Sequence, residues 1–204
     1  MLDQWISSRY RDQLHWQQLR ASFLAAQPFP HLELPDFFLP SVAEQLRQAL
    51  RSEPGEFKEA DLFAFSQTAD LVSSRNPLLR SFRDFLASAS FVHFLEQMCG
   101  QHLTVGKVDL SGTRYEDTHF LLCHDDQLEG RKIAFMVYLS SLEPGQGGAL
   151  QLFSSSSGIP TTVAKKIIPR FNTFHFFLVS KSSFHAVEEV INAERWTLSG
   201  WFHG

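Results

Sequence analysis

Beyond Gly100 the chain breaks into eight short runs of β-forming residues: LTVGKVDL, THFLLCHD, KIAFMVYLS, ALQLFSS, KKIIP, NTFHFFLVS, SFHAVEEVI and RWTLSGWFH. Turn-forming breaks such as Glu129-Gly130 and the PGQGG stretch at 144–148 separate them. Such a series predicts an antiparallel double sheet, that is, a jelly roll, cupin-like barrel or double-stranded β-helix. Twenty phenylalanines, unusually many for 204 residues, point to the same β-rich interior.

The first hundred residues have a different texture. Trp5, Ile6, Leu14, Leu19, Phe23 and Leu24 recur at helical intervals, so a first helix is predicted from about Leu2 to Ala26, stopped by Pro28 and Pro30. HLELPDFF (31–38) alternates like a short strand, and SVAEQLRQALRS, opened by Pro40, has helical spacing. A further helix is predicted from Leu78 to Cys99, ended by Gly100. The expectation is one domain over 1–204, mainly β with flanking helices: 1–100 gives helical support and a loop over the site, 101–204 the jelly-roll core. Residues 57–77 (FKEADLFAFSQTADLVSSRNP) are aromatic and acidic without a clean period and read as a lid or hairpin, or as strands packed on the sheet.

A single core of this size needs no disulfide staple. Cys99 and Cys123 lack CxxC spacing, so neither a structural zinc site nor a redox pair is indicated. The formal charge of −4 gives no basic footprint for direct nucleic-acid binding. The charged start lacks a signal-peptide stretch, and no run approaches the roughly 18 apolar residues of a membrane span. A cytoplasmic setting is expected, with the nucleus open in a eukaryote, and no membrane partner.

The chemistry centres on CHDDQL (123–128), where polar, metal-binding groups follow the apolar Phe120-Leu121-Leu122. On an extended strand His124 and Asp126 share one face and Asp125 takes the other. An H-x-D pair joined by a distant histidine is the 2-His-1-carboxylate arrangement that binds Fe(II) and leaves three positions open. Of the other eight histidines, His15, His31 and His93 lie in the helical half, and His102 and His119 precede the pair closely. His175, in TFHFFLV, suits a packed core or surface position, whereas His185 opens the penultimate β-type run.

Arg195 lies ten residues beyond His185, and a guanidinium inside a barrel is costly unless it meets an anion such as a carboxylate. A triad with an inward arginine fits a 2-oxoglutarate oxygenase: the 2-oxo acid chelates the iron, its far carboxylate pairs with Arg195, and O2 takes the remaining position. Retention of Asp126 favours hydroxylation over halogenation. Asp125 is expected to cap a turn or pair with Arg131 or Lys132, and Cys123 to pack.

LLCHDDQLEGRKIAFMVYL, GGALQLF, SFHAVEEV and RWTLSGWFHG together resemble the catalytic domain of the 2-oxoglutarate- and Fe(II)-dependent prolyl hydroxylases that modify a small-subunit ribosomal protein. The resemblance covers the carboxy-terminal half and extends weakly to FKEADLFAFSQTADL, which is similar to that group's substrate-covering loop. It implies His124, Asp126 and His185 as iron ligands, Arg195 as the anchor for 2-oxoglutarate, and Tyr138, Tyr115 and Leu121 near this co-substrate. It also implies ascorbate as reductant, a proline-containing protein substrate of the ribosomal kind, and a substrate loop with Phe57, Asp61, Phe63 and Gln67. In a regular strand Leu121 would face away from His124, so a bulge before the metal site is expected. Trp201 packs under the site or in the core.

Two departures bear on the substrate. Eukaryotic members carry a second, non-catalytic double-sheet domain after SGWFHG, and their spacing from the second histidine to the arginine is longer. Two other readings remain open: hydroxylation of a free amino acid or other small molecule, and a non-catalytic double-sheet binding module.

Overall fold

A computed structural model of the chain describes residues 2–204 and places eleven strands in one antiparallel sheet. In chain order the elements are α1 (Gln13–Ala25), β1 (His31–Leu34), α2 (Pro40–Ser52), β2 (Gly55–Ala60), β3 (Phe63–Thr68), α3 (Pro77–Ala87) and α4 (Ala89–Cys99). Then follow β4 (Val108–Tyr115), β5 (Phe120–His124), β6 (Arg131–Tyr138), β7 (Leu150–Ser156), β8 (Ile159–Ile167), β9 (Thr173–Leu178), β10 (His185–Val187) and β11 (Arg195–His203). The spatial order is β1-β9-β6-β11-β4-β3-β5-β10-β7-β8, with β2 added outside β3. Each of the eight β-type runs thus supplies one strand. The run around KKIIP begins earlier than expected, at Ile159, because PTTVAKK alternates polar residues along an exposed edge.

The amino-terminal hundred residues are less helical than their periodicity suggests, since β1, β2 and β3 all join the sheet. Within residues 57–77 the part up to Thr68 belongs to the β2–β3 hairpin, whose second strand, β3, pairs with β4 at Ser66 and Gln67 and with β5 at Phe63 and Ala64, and the rest leads through a helical turn at Leu71–Ser73 into α3. The expected first helix is broken. Short helical turns at Leu2–Gln4 and Ser8–Tyr10 precede α1, whose start is fixed by Asp12 accepting a hydrogen bond from the Leu14 amide at 3.0 Å. The expected helix from 78 to 99 is two. Ser88 (φ −69, ψ 149) donates to the Phe85 carbonyl at 2.6 Å and caps α4 through the Phe91 amide at 3.3 Å. The apolar period runs across it, which hides the break.

β1 ends at Leu34, where Pro35 carries no amide hydrogen and Asp36 turns at φ 52. The chain then drives Phe37 and Phe38 into the core between helices and sheet. Many of the phenylalanines serve this interface: Phe174 of β9 stacks on Phe37 at 4.9 Å and Phe91 of α4 on Phe202 of β11 at 5.9 Å. Their burial is the dominant favourable contribution to folding. Asn172 locks the arrangement, accepting from the Phe38 amide at 3.0 Å and donating to its carbonyl at 2.9 Å. Asn172→Gly keeps the backbone's positive φ of 62 but strands both backbone groups. It should cost about 1–3 kcal/mol in urea unfolding; a change near zero would show that the clamp contributes nothing.

The opposite face of the sheet is the barrel interior. Along β6, β9 and β11 it presents Ala134, Met136 and Tyr138, then Thr173, His175 and Phe177, then Arg195, Thr197, Ser199 and Trp201, in the register Tyr138↔Thr173 and Tyr138↔Thr197. Among the described residues no helix is long and apolar enough to cross a membrane.

Candidate active site

His124 and His185 face each other across the β5–β10 ladder, with ring centroids 4.2 Å apart. Each ring uses Nδ1 against a backbone carbonyl two residues before it, His124 with Leu122 at 2.9 Å and His185 with Ser183 at 2.8 Å. A carbonyl can only accept, so both rings carry the proton on Nδ1 and leave Nε2 free as a ligand. Both Nε2 atoms point at Asp126, at 3.6 Å and 3.4 Å. One ligand atom from each of the three residues lies within 4.8 Å of the others. Burial pushes the Asp126 carboxyl up, but the neighbouring His185 and His124 outweigh it and hold it at about 2. The Trp201 indole N–H, buried without a hydrogen-bond partner, adds in the same direction. Burial first, and the neighbouring His185 second, lower the pKa of His124. Three neutral or anionic donors on one face are what a divalent ion with open positions requires.

The strand parity that pairs His124 with Asp126 is not how the two meet. β5 ends at His124, and Asp126 sits in a turn at φ 63. Asp125 makes that turn, its Oδ1 accepting from the Gln127 amide at 3.1 Å. Arg131 goes to Asp126 instead, at 3.8 Å, while its guanidinium lies 3.4 Å over the Trp201 ring. The bulge before the metal site is present: His185 opposes His124 and Val187 opposes Leu121, two steps on β10 against three on β5. It turns Leu121 onto the cavity wall. Cys123 is half-buried and free.

A cavity of about 180 Å³ opens beside the triad, with Arg195 in its wall. Arg195 is 2% exposed, and its Nη1 donates to Thr197 Oγ1 at 2.9 Å. Its Nε and Nη2 have no partner. Those are the two donors whose N–H bonds run parallel, the fork that a carboxylate accepts through both oxygens. The faces of Tyr115 and Tyr138 flank the guanidinium at 5.1 Å and 5.2 Å. Burial, partly countered by Arg195, pushes Tyr138 up to about 12 and Tyr115 higher still, so both phenols stay protonated donors. An orphaned guanidinium this deep fits an anionic co-substrate and little else.

The residues expected in the substrate loop divide. Gln67 lines the cavity, donating to Ser111 Oγ at 3.0 Å and accepting from Lys58 Nζ at 2.8 Å. Phe57 is exposed and packs on His119, Asp61 lies at the exposed hairpin tip, and Phe63 packs on Phe65. None of these three lines the cavity. Phe65, Arg131, Phe177 and Thr197 line it without having been foreseen. Phe65 shares a face with Gln67 by simple alternation, a signal available once β3 is recognised as a strand.

His175 is a core residue, fully buried with both ring nitrogens unpartnered, and burial holds its pKa well below the ordinary histidine value. His175→Leu should therefore raise stability by about 1–3 kcal/mol, the cost of an unmet buried polar group. A lower melting temperature would show that the imidazole has an unseen partner.

Residues 110–203 match the profile of the 2OG-Fe(II) oxygenase superfamily. The chain is 38% identical over 186 residues to the prolyl 3-hydroxylase OGFOD1 of Mus musculus, covering 89% of this chain and 34% of that protein. It is 35% identical over 202 residues to the prolyl 3,4-dihydroxylase OGFOD1 of Ostreococcus tauri, covering 89% and 39%. The chain thus spans about a third of the length of the curated relatives it matches. In fold it is similar to a Pseudomonas putida prolyl-4-hydroxylase, with a TM-score of 0.71 at 17% identity over 91% of this chain and 98% of that one. It is equally similar, at TM-score 0.71 and 13% identity over 94% and 90%, to a Trichoplax adhaerens prolyl hydroxylase in complex with a peptide fragment of a hypoxia-inducible factor.

Proposed function

We propose that this chain, which carries a 2OG-Fe(II) oxygenase domain, hydroxylates prolyl residues of a polypeptide, using Fe(II), 2-oxoglutarate and O2 with ascorbate as reductant. The observation that carries this reading is the buried Arg195 fork, free on its carboxylate-binding edge, in the same cavity as the His124–Asp126–His185 cluster. The three residues would hold Fe(II), and Arg195, flanked by the rings of Tyr115 and Tyr138, would hold the far carboxylate of 2-oxoglutarate. When bound, the metal couples decarboxylation of the 2-oxo acid to insertion of one oxygen atom from O2 into a C–H bond. The chain's own contribution is placement. Nδ1 hydrogen bonds fix both imidazoles, Asp126 stays ionised, and Leu121, Val187 and Phe177 keep the wall apolar.

A polypeptide substrate is supported by the names of the relatives and by two exposed leucines, Leu62 at the hairpin tip and Leu122 on β5, joined by the Leu122 amide donating to the Leu62 carbonyl at 2.8 Å. By the family resemblance the substrate of this chain would be a small-subunit ribosomal protein, met in the cytoplasm or nucleus. The formal charge of −4 gives no reason to expect direct contact with ribosomal RNA. The test measures succinate release with proline-containing ribosomal peptides and with free proline. Stimulation by the peptides supports the proposal; stimulation by free proline alone would assign the chain to small-molecule hydroxylation.

A further inference from the structure

β1 and β8 are the two ends of the sheet's path, and among the described residues no ladder of backbone hydrogen bonds joins them. The barrel is therefore closed along this seam by side chains. Lys165 of β8 reaches across to β1, with Nζ 2.9 Å from Glu33 Oε1 and 3.0 Å from His31 Nε2. His31 is 4% exposed, and its Nδ1 donates to the Phe29 carbonyl at 2.8 Å. With the proton on Nδ1, Nε2 carries a lone pair, so Lys165 donates to it. That bond exists only while the ring is neutral. Directly behind the seam Phe29, Leu150, Leu152, Ile167 and Phe177 form one cluster, and Leu150 and Phe177 also line the active-site cavity. The seam is thus one layer of side chains from the site.

We propose that Lys165, Glu33 and His31 form a latch that closes the barrel between β1 and β8 and that acid releases. Protonation of His31 removes the acceptor and leaves two cations about 3 Å apart, one buried and one half-exposed, opposed by the single carboxylate of Glu33. From β9, His175 faces the same cluster at a ring distance of 5.9 Å and supplies no anion. Protonating His175 too would add to the repulsion. Burial lowers the pKa of His31 first, with Lys165 adding in the same direction; the Phe29 carbonyl and Glu33 oppose them. The sign follows: the unfolded chain binds this proton at a higher pH than the folded one. The latch's contribution is complete above the ordinary histidine value and is lost as the pH falls from there through the lowered value of the folded protein.

Hydrogen exchange of β8 in the Fe(II)-loaded protein under nitrogen, at about pH 7.5 and about pH 5.5 on either side of the ordinary histidine value, tests this. Exchange is compared after correction for its intrinsic pH dependence. In the wild type β8 should open about tenfold more readily at the lower pH. His31→Gln, whose amide oxygen accepts from Lys165 at either pH, should remove most of that difference. Lys165→Met, at the more exposed end of the latch, should loosen β8 at both pH values. The same pH response in wild type and His31→Gln would overturn the proposal, as would a Lys165→Met protein whose β8 is as protected as the wild type's. The second comparison stands even if the His31 variant does not fold.

Discussion

Arg195→Ala is expected to weaken 2-oxoglutarate binding by about 2–5 kcal/mol, the range for stranding one member of a buried, hydrogen-bonded charge pair. The size follows from the surroundings. The guanidinium is buried between Tyr115 and Tyr138, with Nη1 occupied by Thr197 and the Nε–Nη2 edge free. That edge is buried, so a carboxylate placed there gains both parallel hydrogen bonds in a medium of low effective dielectric. Calorimetry with a redox-inert divalent ion in the metal position reads the effect without turnover. A 2-oxo acid lacking the far carboxylate should bind wild type and variant alike. Equal 2-oxoglutarate affinity in both proteins would move the anchor elsewhere.

Asp126→Ala should abolish Fe(II)-dependent succinate formation. The carboxylate lies between two imidazole Nε2 atoms and is the sole anion among the three grouped donors. Without it the two rings are left 4.2 Å apart with no counter-charge, and each becomes easier to keep neutral and apart than to gather around a cation. The loss of metal affinity should exceed the about 10–100-fold that groups merely orienting the ligands confer. Because Asp126 lies beyond the end of β5, the variant should retain its far-ultraviolet circular dichroism, with a local cost of about 1–2 kcal/mol for Ala at φ 63. A folded variant that binds Fe(II) and forms succinate as the wild type does would remove Asp126 from the site.

The chemistry was more legible in the sequence than the geometry that delivers it. His124, His185 and Arg195 stood out because metal-binding and cationic side chains within apolar strands are expensive and must be matched. Strand alternation is nonetheless not what brings His124 and Asp126 together. Alternation assumes that the strand continues, and β5 stops at His124. The bulge that turns Leu121 inward was inferable from the conflict between its parity and its expected role, and the register shift against Val187 bears it out. Helix boundaries failed where a polar residue interrupts the backbone without interrupting the apolar period, as at Ser88. β3 was obscured because it pairs with β2, β4 and β5 in turn, and the identity of its neighbours depends on long-range register that a local pattern does not contain. The seam between β1 and β8 was invisible for the same reason, since Lys165 and His31 are far apart in sequence.

The most direct test of prolyl hydroxylation is mass spectrometry of ribosomal proteins from cells with and without the active protein, complemented by wild type or by Asp126→Ala. The account predicts that a proline in a small-subunit protein carries one added oxygen atom only where the wild-type protein is present. A proline modified equally in all these cells, or no oxygen gained on any prolyl residue while the purified protein still turns over 2-oxoglutarate, would contradict it.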